Sequence, residues 1–228
     1  MPSFKKNQSI SKFQKFVGDV YGLPDDRLYS VWDLLIQVQR FTMRACKGIR
    51  KDDLEKLKSN LIISLSWFMG IANRFHINIE DELWRRFPAI CSYCGGRPCK
   101  CKKIKPSKRK KIKIKNSLKP KTLAGFQRMF EEIYPPREKT ITEAGVHLAE
   151  ETGEISEAIH NYLGQHKEKQ FKEIGVEMAD FLSCVFSVAS CAGIDIASEL
   201  HKTYRLNCHI CHKAPCICSF GSIIRIKT

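Results

Sequence analysis

Residues 147–180 read HLAEETGEISEAIHNYLGQHKEKQFKEIGVEMAD, and five acids stand out in that stretch: Glu150, Glu151, Glu154, Glu177 and Asp180. At 100° per residue, Leu148, Ile155, Ile159 and Tyr162 form one apolar stripe of a helix. Glu151 falls inside the stripe and Glu154 on its edge, whereas a solvated acidic face would place its acids opposite. The following segment, 174–192, is 19 residues long and carries only two charges, Glu177 and Asp180. Their i, i+3 spacing puts both on one face of an otherwise apolar helix. Two carboxylates about 4 Å apart repel by roughly 4 kcal/mol at an effective dielectric near 20. Burying several together therefore calls for cations, and an all-oxygen ligand set suits Mg²⁺ or Mn²⁺.

Working outward, the chain repeats itself. A shift of 117 carries Cys91, Cys94, Cys99 and Cys101 onto Cys208, Cys211, Cys216 and Cys218, and HINI (76–79) onto GIDI (193–196). Upstream the shift becomes 113, with SISKFQ (9–14) meeting TLAGFQ (122–127). The difference of four falls in the Pro-containing connection after the first helix, where insertions are tolerated. Each copy reads as four helices and a cysteine loop. They are expected near 9–18, 28–46, 52–74 and 79–87, and again near 122–133, 140–164, 168–192 and 195–205. With no useful period-2 stretch outside the linker, the fold class is all-α: two tandem four-helix units, 1–101 and 122–218, joined by a linker at 102–121 and followed by a tail, 219–228.

The formal net charge is +15, and 102–121 holds 11 Lys or Arg and no acid, leaving +4 for the rest. That linker reads either as a solvated connector or as a non-specific phosphate-binding segment for nucleic acid; it lacks aromatic residues for base stacking. The N-terminal MPSFKKNQSISKF has no apolar segment of the secretory kind, and the longest apolar run contains two acids, which argues against a membrane span. Eleven cysteines without a signal peptide suggest a reducing, cytoplasmic setting.

EExxE followed by ExxD on two helices of a small all-α unit resembles the MazG-like family of all-α nucleotide pyrophosphohydrolases. The resemblance covers 122–205; the first copy shares it only through its likeness to the second. It implies Mg²⁺-dependent cleavage of a nucleoside triphosphate between its α and β phosphates, with Glu150, Glu151, Glu154, Glu177 and Asp180 as metal ligands and water-positioning groups. Glu150 or Glu151 would be the general base. Family members associate through their helices, so the tandem implies an intramolecular pseudo-dimer, with further homo-oligomerisation open. Lys172, Lys202 and Arg205 are candidate phosphate partners near helix ends, and His147, one turn before Glu150, a candidate for base or sugar.

The first copy departs where it matters. Glu150, Glu151, Glu154, Glu177 and Asp180 meet Asp33, Leu34, Gln37, Asn60 and Ile63, so one active site per chain is expected. Trp32, Trp67 and Phe68 read as core, with the pseudo-dimer interface as the alternative, and Cys46, Cys184 and Cys191 read as core. Both cysteine loops, 91–101 and 208–218, read CxxC, four residues, CxC. Four thiolates in a short loop suit structural Zn²⁺, with an iron–sulfur cluster or redox disulfides as the alternative. His209 and His212 could compete as ligands, but their counterparts are Ser92 and Gly95. The reading opposed to the enzyme is a zinc-containing nucleic-acid-binding protein that uses the linker; a third is the same fold acting on another pyrophosphate substrate.

Overall fold

In the computed structural model, residues 2–219, 221 and 222 are described; the rest of the expected tail lies outside the described residues. All the long helices but α8, which starts after Lys167 without a side-chain cap, begin at side chains that accept a backbone N–H of the first turn. In chain order they are α1 (Ile10–Leu28), α2 (Val31–Arg50), α3 (Leu54–Arg74), α4 (Ile79–Arg86), α5 (Cys101–Ile104), α6 (Leu123–Ile133), α7 (Ile141–Gln165), α8 (Glu168–Cys191) and α9 (Ile196–Thr203). Ser9, Asp53, Thr122 and Asp195 cap α1, α3, α6 and α9. Ser30 with Asp33, and Thr140 with Glu143, form reciprocal capping boxes on α2 and α7. The described residues form no strand, and the fold is all-α.

One expected boundary moves substantially. α1 runs through Pro24 to Leu28 instead of stopping near 18. In the second copy the equivalent helix, α6, ends at Ile133, before Tyr134-Pro135-Pro136. The first copy thus spends on α1 the residues that the second spends on the start of α7, which is why α2 has 20 residues and α7 has 25.

The chain divides into two units, and the division does not follow the repeat. One unit takes residues up to Asn78 together with those from Asp195 onward; the other is Ile79–Ile194. The fourth helix and cysteine loop of each copy therefore fold with the first three helices of the other copy. Sequence likeness identifies equivalent segments, but either copy's α4-type helix presents the same apolar face and can fill the same groove.

In the second unit α7 and α8 form an antiparallel pair, α6 packs against α8, and α4 packs on α8 as well. Gly175 permits that approach, since a Cβ there would meet Glu82 Cδ and Cγ at 3.1 and 3.2 Å. Phe87, just past α4, meets Phe130 of α6 edge-on with ring centroids 5.1 Å apart, and Phe130 stacks on Phe186 of α8 at 5.4 Å. Met178, Phe181, Leu182, Val185 and Phe186 are essentially inaccessible, each contributing about 1.5–3 kcal/mol of burial. By length and composition α8 could cross a membrane, but most of its apolar window is buried within the protein, as in a core helix.

The first unit repeats the plan with α1, α2, α3 and α9. Phe13, Phe41, Phe68 and Tyr204 are fully buried, and Trp67 meets Tyr29 edge-on at 5.7 Å. Trp32 corrects its core assignment: as the second residue of α2 it is 42% exposed. Cys46, Cys184 and Cys191 are half-buried. The linker also differs from a free connector. Trp84 Nε1 donates to Asn116 Oδ1 at 3.0 Å, and Lys119 pairs with Asp81 at 2.7 Å and with Glu80 at 3.3 Å; all these groups belong to the second unit.

Candidate metal centre

Helix α7 supplies Glu151, and α8 supplies Glu177 and Asp180. One oxygen from each lies within 4.8 Å of the others. Glu154 stands at the exposed rim, close enough to hydrogen-bond Glu177 and to raise the proton affinity of both Glu151 and Glu177. Glu150 is exposed and outside the three-carboxylate cluster, because one residue of helix turns it 100° away from Glu151.

Burial, then the charges of Asp180, Glu154 and Glu177, push the Glu151 carboxyl up to about 8, with Arg86 opposing. Burial and Asp180 likewise push Glu177 up to about 7. Asp180 is also raised, by burial, despite its ion pair. Glu151 Oε2 is buried and accepts no hydrogen bond, a costly condition for a carboxylate oxygen. Three convergent carboxylates, one with an orphaned oxygen, fit a hard divalent cation, whose ligands are oxygens.

The site carries two cations that sequence reasoning missed. Arg86, the last residue of α4, donates from Nε to Asp180 Oδ1 at 2.9 Å and from Nη2 to Oδ2. The two side chains are only 15% and 13% exposed. Arg109, from the linker, brings Nη2 to 3.8 Å from Asp180 Oδ2. A signal for Arg86 did exist: under the 117 shift its counterpart is Thr203 and that of Asp180 is Ile63, so the first unit, which holds both counterparts, lacks the cation and the acid together. Arg109, in the linker between copies, has no counterpart.

The expected phosphate partners are placed elsewhere. Lys202 and Arg205 belong to the first unit, where Lys202 pairs with Glu199 at 2.7 Å, because α9 folds with the first copy's helices. Lys172 is exposed and pairs with Glu168 at 2.7 Å. His147 is exposed on α7.

The equivalent place in the first unit is apolar and satisfied. Leu34 is fully buried, Ile63 is 5% exposed, and Gln37 and Asn60 are buried. Asn60 Nδ2 donates to Lys56 O at 2.6 Å. Asp33, counterpart of Glu150, is occupied by the Ser30 capping box.

Each cysteine loop gathers its four thiols. In 91–101 the Sγ separations include 3.6 Å (Cys91–Cys101), 3.5 Å (Cys91–Cys99) and 3.9 Å (Cys94–Cys99). In 208–218 they include 3.8 Å (Cys208–Cys218), 3.4 Å (Cys208–Cys216) and 3.8 Å (Cys211–Cys216). A tetrahedron with Zn–S bonds of about 2.3 Å has edges of about 3.8 Å, so both sets could hold zinc. All eleven cysteines are free thiols. Separations this short suit one ion shared by four thiolates better than a cluster with a different iron on each. His209 and His212 are in neither cluster; His209 Nδ1 lies 3.3 Å from the Tyr21 hydroxyl. A tyrosine braces each loop: Tyr134 donates to Cys91 Sγ at 3.4 Å, and Tyr21 hydrogen-bonds Cys208.

No family model matches the chain, and no curated protein or solved structure matches it either.

Proposed function

We propose that the second unit is a divalent-metal-dependent nucleoside triphosphate pyrophosphohydrolase of MazG-like type, releasing a nucleoside monophosphate and pyrophosphate, and that the first unit is its non-catalytic copy. The observation that carries this reading is the buried, unpartnered Glu151 Oε2 beside Glu177 and Asp180. Glu151, Glu177 and Asp180 would hold Mg²⁺ or Mn²⁺, with Glu154 at the rim. A bound divalent ion supplies neutralisation of the triphosphate and a water of lowered pKa. Glu151, whose Oε2 has no partner within the protein, is the candidate to accept a proton from the water that attacks the α phosphorus. Arg86 orients Asp180 and opposes the rise in its proton affinity that burial causes.

The test is pyrophosphate release from a panel of ribo- and deoxyribonucleoside triphosphates with Mg²⁺. Release that is lost in Glu151→Ala and Glu177→Ala is expected; no release from any nucleotide contradicts the reading. In the same proposal both cysteine loops hold structural zinc, and metal analysis of the folded protein should return about two zinc per chain, one fewer in Cys94→Ser and in Cys211→Ser.

A second reading, binding of nucleic acid by the linker, is favoured by the exposure of Lys102, Lys103, Lys105, Lys108, Lys110, Lys111, Lys113 and Lys115. Such binding would be salt-sensitive and lost on deleting 102–115. It ranks second because the linker is drawn onto the second unit at Arg109, Asn116 and Lys119.

A further inference from the structure

Arg109 lies in a stretch with no acid from 102 to 121, yet it is held in place. The backbone N–H of the next residue, Lys110, donates to Tyr93 O at 3.1 Å. The Arg109 guanidinium lies over the Tyr93 ring, 4.3 Å from its centroid, a distance at which cation–π attraction operates. Tyr93 is in turn fixed by the loop that carries it, between the buried Cys91 and Cys94. On this platform Arg109 faces the carboxylate centre and is surplus to it. Arg86 already serves both oxygens of Asp180, while Arg109 Nη2, at 3.8 Å, is beyond hydrogen-bond reach. No described protein group accepts a hydrogen bond from it. Its side chain remains 36% exposed.

A guanidinium offers five N–H donors in a planar fork matched to phosphate oxygens. Holding one by its ring face and leaving its donors unused makes sense where a phosphate is to arrive. We propose that Arg109 is a phosphate-binding residue of the metal centre, taking the phosphate chain of the substrate, with Tyr93 and the 91–101 cysteine loop as its platform. This rests on the hydrolase reading above and assigns the basic linker a role in it. The zinc loop thereby acts on substrate affinity through one side chain. The other loop has Ile210 in place of Tyr93 and offers no ring face.

Titration calorimetry on the full chain, with inorganic triphosphate as probe and Mg²⁺ present, tests this. Arg109→Ala should weaken triphosphate binding about tenfold, as loss of charge-assisted hydrogen bonds implies. In nucleotide turnover it should raise KM by a similar factor with kcat within about twofold. Arg109→Lys should recover part of the loss, since the charge returns without the fork. Tyr93→Ala should weaken binding about threefold, and Ile210→Ala should not. Mn²⁺ binding without triphosphate should not weaken in any of the four. Equal triphosphate affinity in Arg109→Ala and the unaltered chain overturns the inference alone. Weakened Mn²⁺ binding in Arg109→Ala also overturns it, by making the residue a support of the carboxylates. No triphosphate binding by the unaltered chain overturns the hydrolase reading and this inference together.

Discussion

The two units set the same helices around two different centres. In one, Glu151, Glu177 and Asp180 converge around an orphaned oxygen and an arginine pair. In the other, the same positions hold Leu34, Asn60 and Ile63, buried and with Asn60 bonded within its own helix. Where α4 ends in Arg86, α9 ends in Thr203. The carboxylate centre is therefore not something the fold needs: a satisfied version exists in the same chain. Acids that raise each other's proton affinity and leave an oxygen unbonded are kept at a cost in stability, and that cost points to a ligand.

Breaking the comparison outright gives the largest effect. Glu151→Ala and Glu177→Ala should each lower turnover by about 10³-fold or more, as loss of a central catalytic group does. Leu34→Ala, at the position of Glu151, should leave turnover per folded molecule unchanged and cost about 2–5 kcal/mol of stability through the cavity it opens. Steady-state assay and urea unfolding of the same samples separate the two. Turnover lost equally from both sites would refute the division of labour.

Removing the arginine sharpens the comparison with a smaller effect. Arg86→Gln leaves the largely buried Asp180 without its charged donor and should destabilise the metal-free protein by about 1–3 kcal/mol. Saturating Mg²⁺ should shrink that difference, because a divalent ion then serves Asp180. Thr203→Arg, at the counterpart facing no such acid, should bring no gain. Melting curves with and without Mg²⁺ decide this, and a loss undiminished by Mg²⁺ would contradict it.

The smallest effect is in the pH profile of the metal-free protein. Glu151 and Glu177 titrate near 8 and 7 when folded and near the ordinary 4.5 when unfolded. Between those values the folded state holds more protons, so stability falls as pH rises from about 5 to 8. Leu34 and Asn60 contribute nothing of this kind. Burial pushes Asp25 of the first unit to about 7, against Arg74, so a residue of the same slope should persist there. Glu151→Gln with Glu177→Gln, or saturating Mg²⁺, should flatten most of the profile; an unchanged slope would refute the assignment.

The parts legible in the sequence were those set by local pattern. The apolar periodicity of α8, broken only by Glu177 and Asp180, marked both a core helix and its centre, and the cysteine spacing marked both loops. What was not legible depended on which equivalent surface a segment chooses. The repeat showed that α4 and α9 are counterparts, but nothing in either states that each folds with the other copy's helices. For that reason Lys202 and Arg205, from the second copy, belong to the first unit, and Arg86, from the first copy, to the second. Arg109 was hidden differently: it is the one arginine among eleven linker cations, but its seat on Tyr93 is visible only in the fold. Pro24 read as part of a connection after α1, yet the helix continues through it to Leu28.

The central claim is that one unit of this chain is built to hold a divalent ion and its copy is not. Electron paramagnetic resonance of Mn²⁺ titrated into the zinc-loaded, full-length protein tests it most directly. Binding should be abolished in Glu151→Ala with Glu177→Ala and unchanged in Leu34→Ala with Asn60→Ala. Mn²⁺ binding that survives loss of Glu151 and Glu177, or that falls with Leu34 and Asn60, would contradict the account.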